Sequence, residues 1–160
     1  VFGCKNIVIP EPDPTRILEL IHSEKIETAF MVPALIQFLL NHPNCGNTDF
    51  SSLRQIVYGA SPISEDTLLK AMDVMGCEFW QVYGLTETSP VVTSNPLDGT
   101  NKIGTIGLPL PRTEVKLIDD DGKEVEIKGS GGRVKGQKGY SLGHFHLLKM
   151  GFFVKGCNVQ

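Results

Sequence analysis

The side chains best suited to chemistry lie in the short stretch from Glu78 to Pro90. Its second half carries hydroxyl and carboxylate groups in succession: Thr86, Glu87, Thr88 and Ser89. A threonine hydroxyl can donate a hydrogen bond to a phosphate oxygen, and a glutamate carboxylate is a hard oxygen ligand suited to Mg²⁺. The flat ring of Tyr83 offers an apolar face to a base. Together these groups could hold a magnesium nucleotide.

The first half of the stretch predicts the element that presents these groups. Phe79, Trp80, Val82 and Tyr83 favour a short buried strand, which Gly84 ends. Ligands of open α/β sheets bind at the carboxyl ends of strands. The alternative is a strand followed by a Thr- or Ser-capped helix start with Glu87 in its first turn. Spacing alone favours that alternative, because capping residues are common.

A second loop of small residues follows another predicted strand. Arg54 to Tyr58 predicts the strand, and Gly59-Ala60-Ser61-Pro62 follows it. Small residues let a flat ring or a phosphate approach the backbone closely. The same residues also fit a simple turn from a strand into a helix.

Apolar spacing and capping residues predict the helices that separate the strands. Asp13-Pro14, Pro33 and Ser64 mark three helix starts, and Gly76 marks the end of the third helix. Strands are predicted at Val1 to Ile9 and at Thr28 to Val32, besides those already described. Helices long enough to cross between parallel strands predict an α/β fold, a doubly wound β-α-β-α-β parallel layer.

The pattern changes after Pro90. Val91 to Lys102 is rich in Thr, Asn and Pro and predicts a loop. Glu114 to Ile118 and Glu124 to Ile127 predict the strands of a hairpin with Asp-Gly at its tip. We therefore divide the chain into an α/β part (1–90), a small β-rich continuation of the same domain (91–128) and a divergent tail (129–160), whose folding the sequence leaves open.

The composition of the 160-residue chain excludes several classes of protein. The net charge of −3 comes without a basic stripe, which argues against nucleic-acid binding. The longest apolar segment, Thr28 to Leu40, is short for a membrane span and contains Pro33. Four widely spaced cysteines favour scattered buried thiols in a reducing compartment, the cytoplasm or the mitochondrial matrix, with peripheral membrane association left open.

Tyr83-Gly84-Leu85-Thr86-Glu87 resembles the Y-G-x-T-E motif of the adenylate-forming superfamily. That superfamily comprises acyl-CoA synthetases, aryl-CoA ligases, luciferases and peptide-synthetase adenylation domains. The agreement extends from about Thr28 to Glu126. It includes three further blocks in order: Met31-Val32-Pro33, the segment from Leu53 to Pro62, and the segment from Gly104 to Pro111. The resemblance implies that this chain is a fragment of the large N-terminal domain of a protein several times longer.

The resemblance implies activation of a carboxylic acid by ATP and Mg²⁺, followed by transfer to CoA. In that scheme Thr86 and Glu87 are the catalytic residues, with Thr86 bonded to a phosphate and Glu87 helping to hold the metal. The resemblance also implies that Tyr83 packs on adenine. It assigns nucleotide contacts to Gly59, Ala60, Ser61, Gln81, Val82, Tyr83, Gly84, Leu85, Thr86 and Asn158.

The tail departs from the family pattern. Gly131 to Lys138 is not a Walker loop, and His144-x-His146 lacks nearby carboxylate or cysteine ligands for a metal. Asn158 stands nearest to the family's aspartate, which grips the ribose hydroxyls. Asparagine can still form a hydrogen bond, but it carries no charge.

Three interpretations remain open from the sequence. The first is a piece of an acyl-CoA synthetase that is active only when whole, and Leu85 with the following Thr-Ser-Pro favours a fatty over an aryl substrate. The second is a truncated, non-catalytic relative that binds only a nucleotide or a partner. The third is an unrelated doubly wound binding domain, which predicts no dependence on Glu87. The oligomeric state is left unknown.

Overall fold

A computed structural model describes residues 3–88, 91–96, 103–113 and 115. Its helices are α1 (Pro14–Ser23), α2 (Pro33–Leu40) and α3 (Glu65–Met75), and its strands are β1 (Thr28–Met31), β2 (Gln55–Tyr58), β3 (Glu78–Gly84), β4 (Val91–Ser94) and β5 (Leu108–Pro109). These strands form one five-stranded sheet in the order β1-β2-β3-β4-β5. The pairs β1–β2 and β2–β3 are parallel, whereas β3–β4 and β4–β5 are antiparallel. The predicted α/β class and its β-α-β-α-β layer are confirmed.

Local capping chemistry fixes the helix boundaries that the sequence predicts. The Asp13 carboxylate accepts a hydrogen bond from the Thr15 backbone N–H at 3.1 Å, and Pro14 opens α1. The Ser64 hydroxyl accepts from the Thr67 N–H at 3.2 Å at the start of α3. Helix α3 ends at Gly76, whose φ of 62° lies in the left-handed region that glycine tolerates. Helices α1 and α3 therefore start where their sequences direct, and α3 also ends where its sequence directs.

The core lies between the helices and one face of the sheet. Ile56, Tyr58 and Phe79 are almost wholly buried on that face. The helices contribute Ile17, Leu18, Ile21, Ile36, Leu39, Leu68, Ala71 and Met75. The register places Phe30, Val57 and Trp80 side by side in a row on the opposite face. Phe30 in that row is 68% exposed.

Three local predictions are wrong. Residues 3–9 form neither helix nor strand, because an extended apolar segment becomes a strand only when a neighbouring backbone pairs with it, and Val8 is 85% exposed. Val91–Ser94 forms β4 where we predicted loop, because its backbone pairs with the free edge of β3. Cys4 is exposed, although Cys45 is buried as expected.

The predicted hairpin between Glu114 and Ile127 lies outside the described residues, apart from residue 115. The division of the chain at residues 90 and 128 remains a prediction. Every helix among the described residues is too short or too polar to cross a bilayer.

Candidate functional site

The loop after β2 lies against β3, close to where that strand leads into the second predicted loop. Strands β2 and β3 are parallel, with Tyr58 paired to Gln81, so both chains leave the sheet at the same end. A Cβ atom added to Gly59 would lie 2.5 Å from the Val82 carbonyl oxygen and 3.0 Å from the Val82 Cγ2. The loop after β2 therefore rests directly on the backbone of β3, and only glycine fits at this contact.

The next residue in that loop has an unusual backbone conformation. Ala60 has a φ of 69°, in the left-handed region that a residue with a Cβ atom rarely adopts. Ala60 and Ser61 are both exposed. Residues in such conformations cluster at ligand sites, where the surrounding structure holds them in place. The loop thus presents a fixed backbone surface with little side-chain bulk.

The loop after β3 presents Thr86 and Glu87 to solvent. Thr86–Thr88 forms a single 3₁₀ turn, so the capped α-helix that spacing alone favoured does not start here among the described residues. The Thr88 hydroxyl accepts from the Leu85 N–H and donates to the Leu85 carbonyl, both at 2.9 Å. These two bonds close the turn on its own backbone, and the side chains of Thr86 and Glu87 are exposed to solvent.

The residues at this edge fit a magnesium nucleotide. Among the described residues, no three His, Cys, Asp or Glu side chains group as a metal cage would require. Mg²⁺, however, is commonly held by one or two carboxylates together with substrate phosphates and water, rather than by an all-protein cage. The exposed carboxylate of Glu87, beside the hydroxyl of Thr86, satisfies that requirement.

Beneath the loops, a hydrogen bond joins the last residue of β2 to β3. The Tyr58 hydroxyl donates to Gln81 Oε1 at 3.3 Å. Tyr58 is 1% exposed, and its burial raises the pKa of the hydroxyl to about 12. The Gln81 backbone carbonyl accepts from the Asn95 N–H at 3.0 Å, which ties the same residue to the far end of β4. Sequence reasoning missed Tyr58, because only its position before the loop pointed to it.

Tyr83 and Gly84 lie where the ladder with β4 is irregular. The register between β3 and β4 shifts between these two residues. Such irregularities re-aim side chains and are common beside active sites. Tyr83 is partly buried, and this burial raises the pKa of its hydroxyl. Burial thus favours the neutral form of this side chain.

A further segment fastens β4 in place, and sequence reasoning missed this role. The buried Thr93 hydroxyl donates to the Ile106 carbonyl at 2.6 Å. Gly107 has a φ of 81°, and a Cβ atom there would lie 2.0 Å from the Ser94 carbonyl oxygen. The signal in the sequence was the pair Gly104 and Gly107, in the segment from Gly104 to Pro111 that resembles the family pattern.

The structure places Gly59 against Val82, in the strand that leads into the predicted residues Tyr83 to Thr86, and one predicted residue is not described. Asn158 lies outside the described residues, as do the predicted motifs between Gly131 and His146. A small cavity of about 160 Å³ occurs elsewhere, between α2 and α3, and is lined by Gln37, Leu40, Asn41, Asp66, Thr67 and Lys70. It shares no residue with the strand-end loops.

Comparison with known proteins places this arrangement in context. A model of the AMP-binding enzyme family matches residues 1–139. A long-chain-fatty-acid–CoA ligase of Yersinia pestis is 43% identical over 129 residues, which is 79% of this chain and 23% of that protein. A fatty acid–[acyl-carrier-protein] ligase of Streptomyces coeruleorubidus is 40% identical over 114 residues, or 69% of this chain and 22% of that protein.

A solved structure with the same fold is that of an anthranilate CoA ligase in complex with anthranoyl-AMP. It aligns with a TM-score of 0.72 and 25% identity, over 78% of this chain and 24% of that one. This chain therefore spans about a quarter of the length of the proteins that it matches.

Proposed function

The chain belongs to the AMP-binding enzyme family, and from that premise we propose that the complete protein is an acid–thiol ligase. In the first half-reaction a carboxylate oxygen of the acid attacks the α-phosphorus of ATP. The bond from that phosphorus to the bridging oxygen breaks, and pyrophosphate leaves. In the second half-reaction the thiol sulfur of CoA attacks the carbonyl carbon and gives up its proton to solvent. The bond from that carbon to the phosphate oxygen breaks, and AMP leaves.

The observation that carries this proposal is the contact between the two strand ends. Gly59 rests on the Val82 carbonyl of β3, and the exposed Thr86 and Glu87 lie in the turn that follows β3. We call the loop of residues 59–61, the end of β3 and the turn with Thr86 and Glu87 together the shelf. An adenylate needs a flat surface for its base, which is apolar on its faces. Its anionic phosphate needs a hydroxyl donor and a metal ion held by a carboxylate.

Each residue at the shelf has a role in the proposal. The backbone of Gly59, Ala60 and Ser61 borders the nucleotide, and Tyr83 packs on the base. Thr86 donates to a phosphate oxygen. Glu87 helps to hold Mg²⁺, which would neutralise charge on the phosphate oxygens. Since none of these groups acts as a general acid or base, positioning and electrostatic stabilisation account for the rate.

We propose a fatty acid as the substrate. Leu85 and the following Thr-Ser-Pro favour this class, and the names of the bacterial relatives at 40% and 43% identity refer to fatty acids. An aryl acid is the second candidate, since the anthranilate CoA ligase shares the fold at 25% identity. The carrier-protein ligase suggests that a protein-bound thiol is an alternative acceptor to CoA.

Exchange of labelled pyrophosphate into ATP tests the proposal directly. The complete protein should catalyse this exchange with a long-chain fatty acid faster than with benzoate or anthranilate, and only with Mg²⁺ present. Nucleotide binding without exchange for any acid would instead support a non-catalytic relative. Absence of both nucleotide binding and pyrophosphate exchange would refute the proposal that this site binds a nucleotide.

The substitution Glu87→Gln tests the assigned metal role. It should lower the rate of exchange by about 10²-fold, as expected for the loss of one electrostatic contact in the transition state. The matched control is Glu65→Gln, which neutralises an exposed glutamate in the first turn of α3. Equal rates for the Glu87 variant and the wild type would reject the role of Glu87.

A further inference from the structure

The carboxamide of Gln81 lies where its orientation matters, because its two ends have opposite hydrogen-bonding character. The oxygen only accepts hydrogen bonds, and the nitrogen only donates them. Rotation of the amide by half a turn would exchange the two. A ligand at the strand ends would therefore meet either a donor or an acceptor, depending on what holds the amide.

The sheet register shows what holds it. Met31, Tyr58 and Gln81 are paired across β1, β2 and β3, so their side chains lie in one row on the helix-covered face. Met31 and Tyr58 are 5% and 1% exposed, whereas Gln81 is only partly buried. Methionine offers the tyrosine hydroxyl no strong acceptor. The hydroxyl donates instead to Gln81 Oε1 at 3.3 Å.

The tyrosine is itself held in one position. Its ring packs against Phe79, with the ring centroids 6.3 Å apart and the planes inclined by 58°. Its burial keeps the hydroxyl protonated, because the charged form is disfavoured away from water. A protonated hydroxyl can donate or accept, but its buried hydrogen has no other acceptor among the described residues, so the pairing that satisfies it sets the amide oxygen against it.

The other end of the amide remains available. Among the described residues, nothing accepts a hydrogen bond from Gln81 Nε2, while the Gln81 backbone carbonyl is already used by Asn95. Every fully buried side-chain nitrogen or oxygen among the described residues has a hydrogen-bond partner. Gln81 Nε2 has none, so it is open to solvent, where its N–H groups can meet an acceptor that arrives with the ligand.

We propose that Tyr58 is a positioning residue, whose hydroxyl holds Gln81 so that the Gln81 NH₂ group donates to an acceptor atom of the substrate. This inference rests on the proposed function. The acceptor belongs to the nucleotide or to the carboxylate of the acid, and the Michaelis constants of the two substrates distinguish them.

The test is a double-mutant cycle in the complete protein, with Tyr58→Phe, Gln81→Leu and the double variant. Tyr58→Phe removes the hydroxyl alone, and it should raise the KM of one substrate about three- to tenfold, the effect of one hydrogen bond, with little change in kcat. A raised KM for ATP assigns the acceptor to the nucleotide, and a raised KM for the acid assigns it to the carboxylate. Gln81→Leu should raise the same KM at least as much, and adding Tyr58→Phe to it should have no further effect.

The control is Ile56→Val, which removes a methyl group two residues before Tyr58 on the same buried face. It should lower the melting temperature without changing either KM. A second cycle, measured as urea midpoints without substrates, should give a coupling between Tyr58 and Gln81 that is different from zero.

The possible failures are distinguishable. If the two substitutions raise KM independently in an active enzyme, so that their effects add in the double variant, the positioning role is overturned and the proposed function stays intact. Additive urea midpoints would overturn the hydrogen bond itself. A complete wild-type protein without pyrophosphate exchange would overturn the proposed function, and the role of Tyr58 with it.

Discussion

Single residues at the strand ends fall into two groups with opposite environments. Thr86 and Glu87 are exposed on a turn that Thr88 holds together. Tyr58, in contrast, is buried beneath the loops and is bonded to a residue of the neighbouring strand. The exposed residues can contact a ligand directly, whereas the buried Tyr58 can only determine how its neighbouring residues contact that ligand. This difference in environment separates direct contact from positioning.

The buried tyrosine predicts a specific dependence of stability on alkaline pH. A tyrosine in the unfolded chain has a pKa of about 10. Burial raises the pKa of Tyr58 to about 12 in the folded protein. Between these values the unfolded chain loses its proton while the folded protein keeps it, so the free energy of unfolding falls as pH rises. Below about pH 10 the contribution is fully present.

Urea denaturation at a series of pH values from about 9 to about 11 measures this effect. The variant Tyr58→Phe should lose less stability over this range than the wild type does. Burial also raises the pKa of Tyr83, and it raises the pKa of Cys77 to about 11. Both proteins retain these two contributions, so the difference between their pH profiles reports Tyr58. Parallel pH profiles for the two proteins would contradict the prediction.

At the scale of elements, the site depends on how closely two strands end together. Strands β2 and β3 are joined over four residues in register, from Gln55–Glu78 to Tyr58–Gln81. Helix α3 connects them and is fixed at both ends by Ser64 and Gly76. The contact at Gly59 follows from this register, because Gly59 continues β2 opposite Val82, the residue after Gln81.

The substitution Gly59→Ala tests this contact. The added Cβ atom would lie 2.5 Å from a backbone oxygen of β3, so the loop must move away from the strand. We expect a loss of about 1–3 kcal/mol in the free energy of unfolding, as for overpacked cores, and weaker binding of nucleotide. Chemical denaturation and calorimetric titration with AMP measure the two effects.

The matched control is Gly46→Ala, because a Cβ atom there would meet nothing within 4 Å. It should change the stability by less than about 0.5 kcal/mol and leave nucleotide binding unaltered. Similar losses for both alanine variants would show that the contact between Gly59 and Val82 has no special importance.

At the scale of the whole molecule, the described residues cover the two faces of the sheet unequally. The helices pack on the face that carries Ile56 and Phe79, whereas Phe30, Val57 and Trp80 form a row on the other face. Parallel sheets of α/β proteins usually have both faces covered. An apolar row of this kind therefore favours association with another surface.

We predict that the 160-residue chain on its own associates through this row. Phe30→Ser removes the most exposed side chain of the row and should reduce both self-association and binding of a hydrophobic dye. The control is Phe38→Ser, since Phe38 is exposed to a similar degree, 61%, but lies on α2. Sedimentation velocity and dye fluorescence measure the effects, and equal responses of the two variants would contradict the role of the row.

The sequence by itself determined the order of the three helices and the three parallel strands, the helix boundaries and the identity of the oxygen-bearing turn. These features are local, because capping by Asp13 and Ser64, the left-handed end at Gly76 and the motif from Tyr83 to Glu87 each depend on neighbours within a few residues. Local chemistry of this kind can be read without coordinates.

Only the tertiary structure decided which residues meet across the sheet. The strand at Val91–Ser94 exists because the edge of β3 was free to pair with it, and residues 3–9 form no strand although the segment is largely apolar. The bond between Tyr58 and Gln81, and the contact between Gly59 and Val82, join residues 23 positions apart. Such contacts depend on strand register, which is set by the packing of the whole layer rather than by any short stretch of sequence.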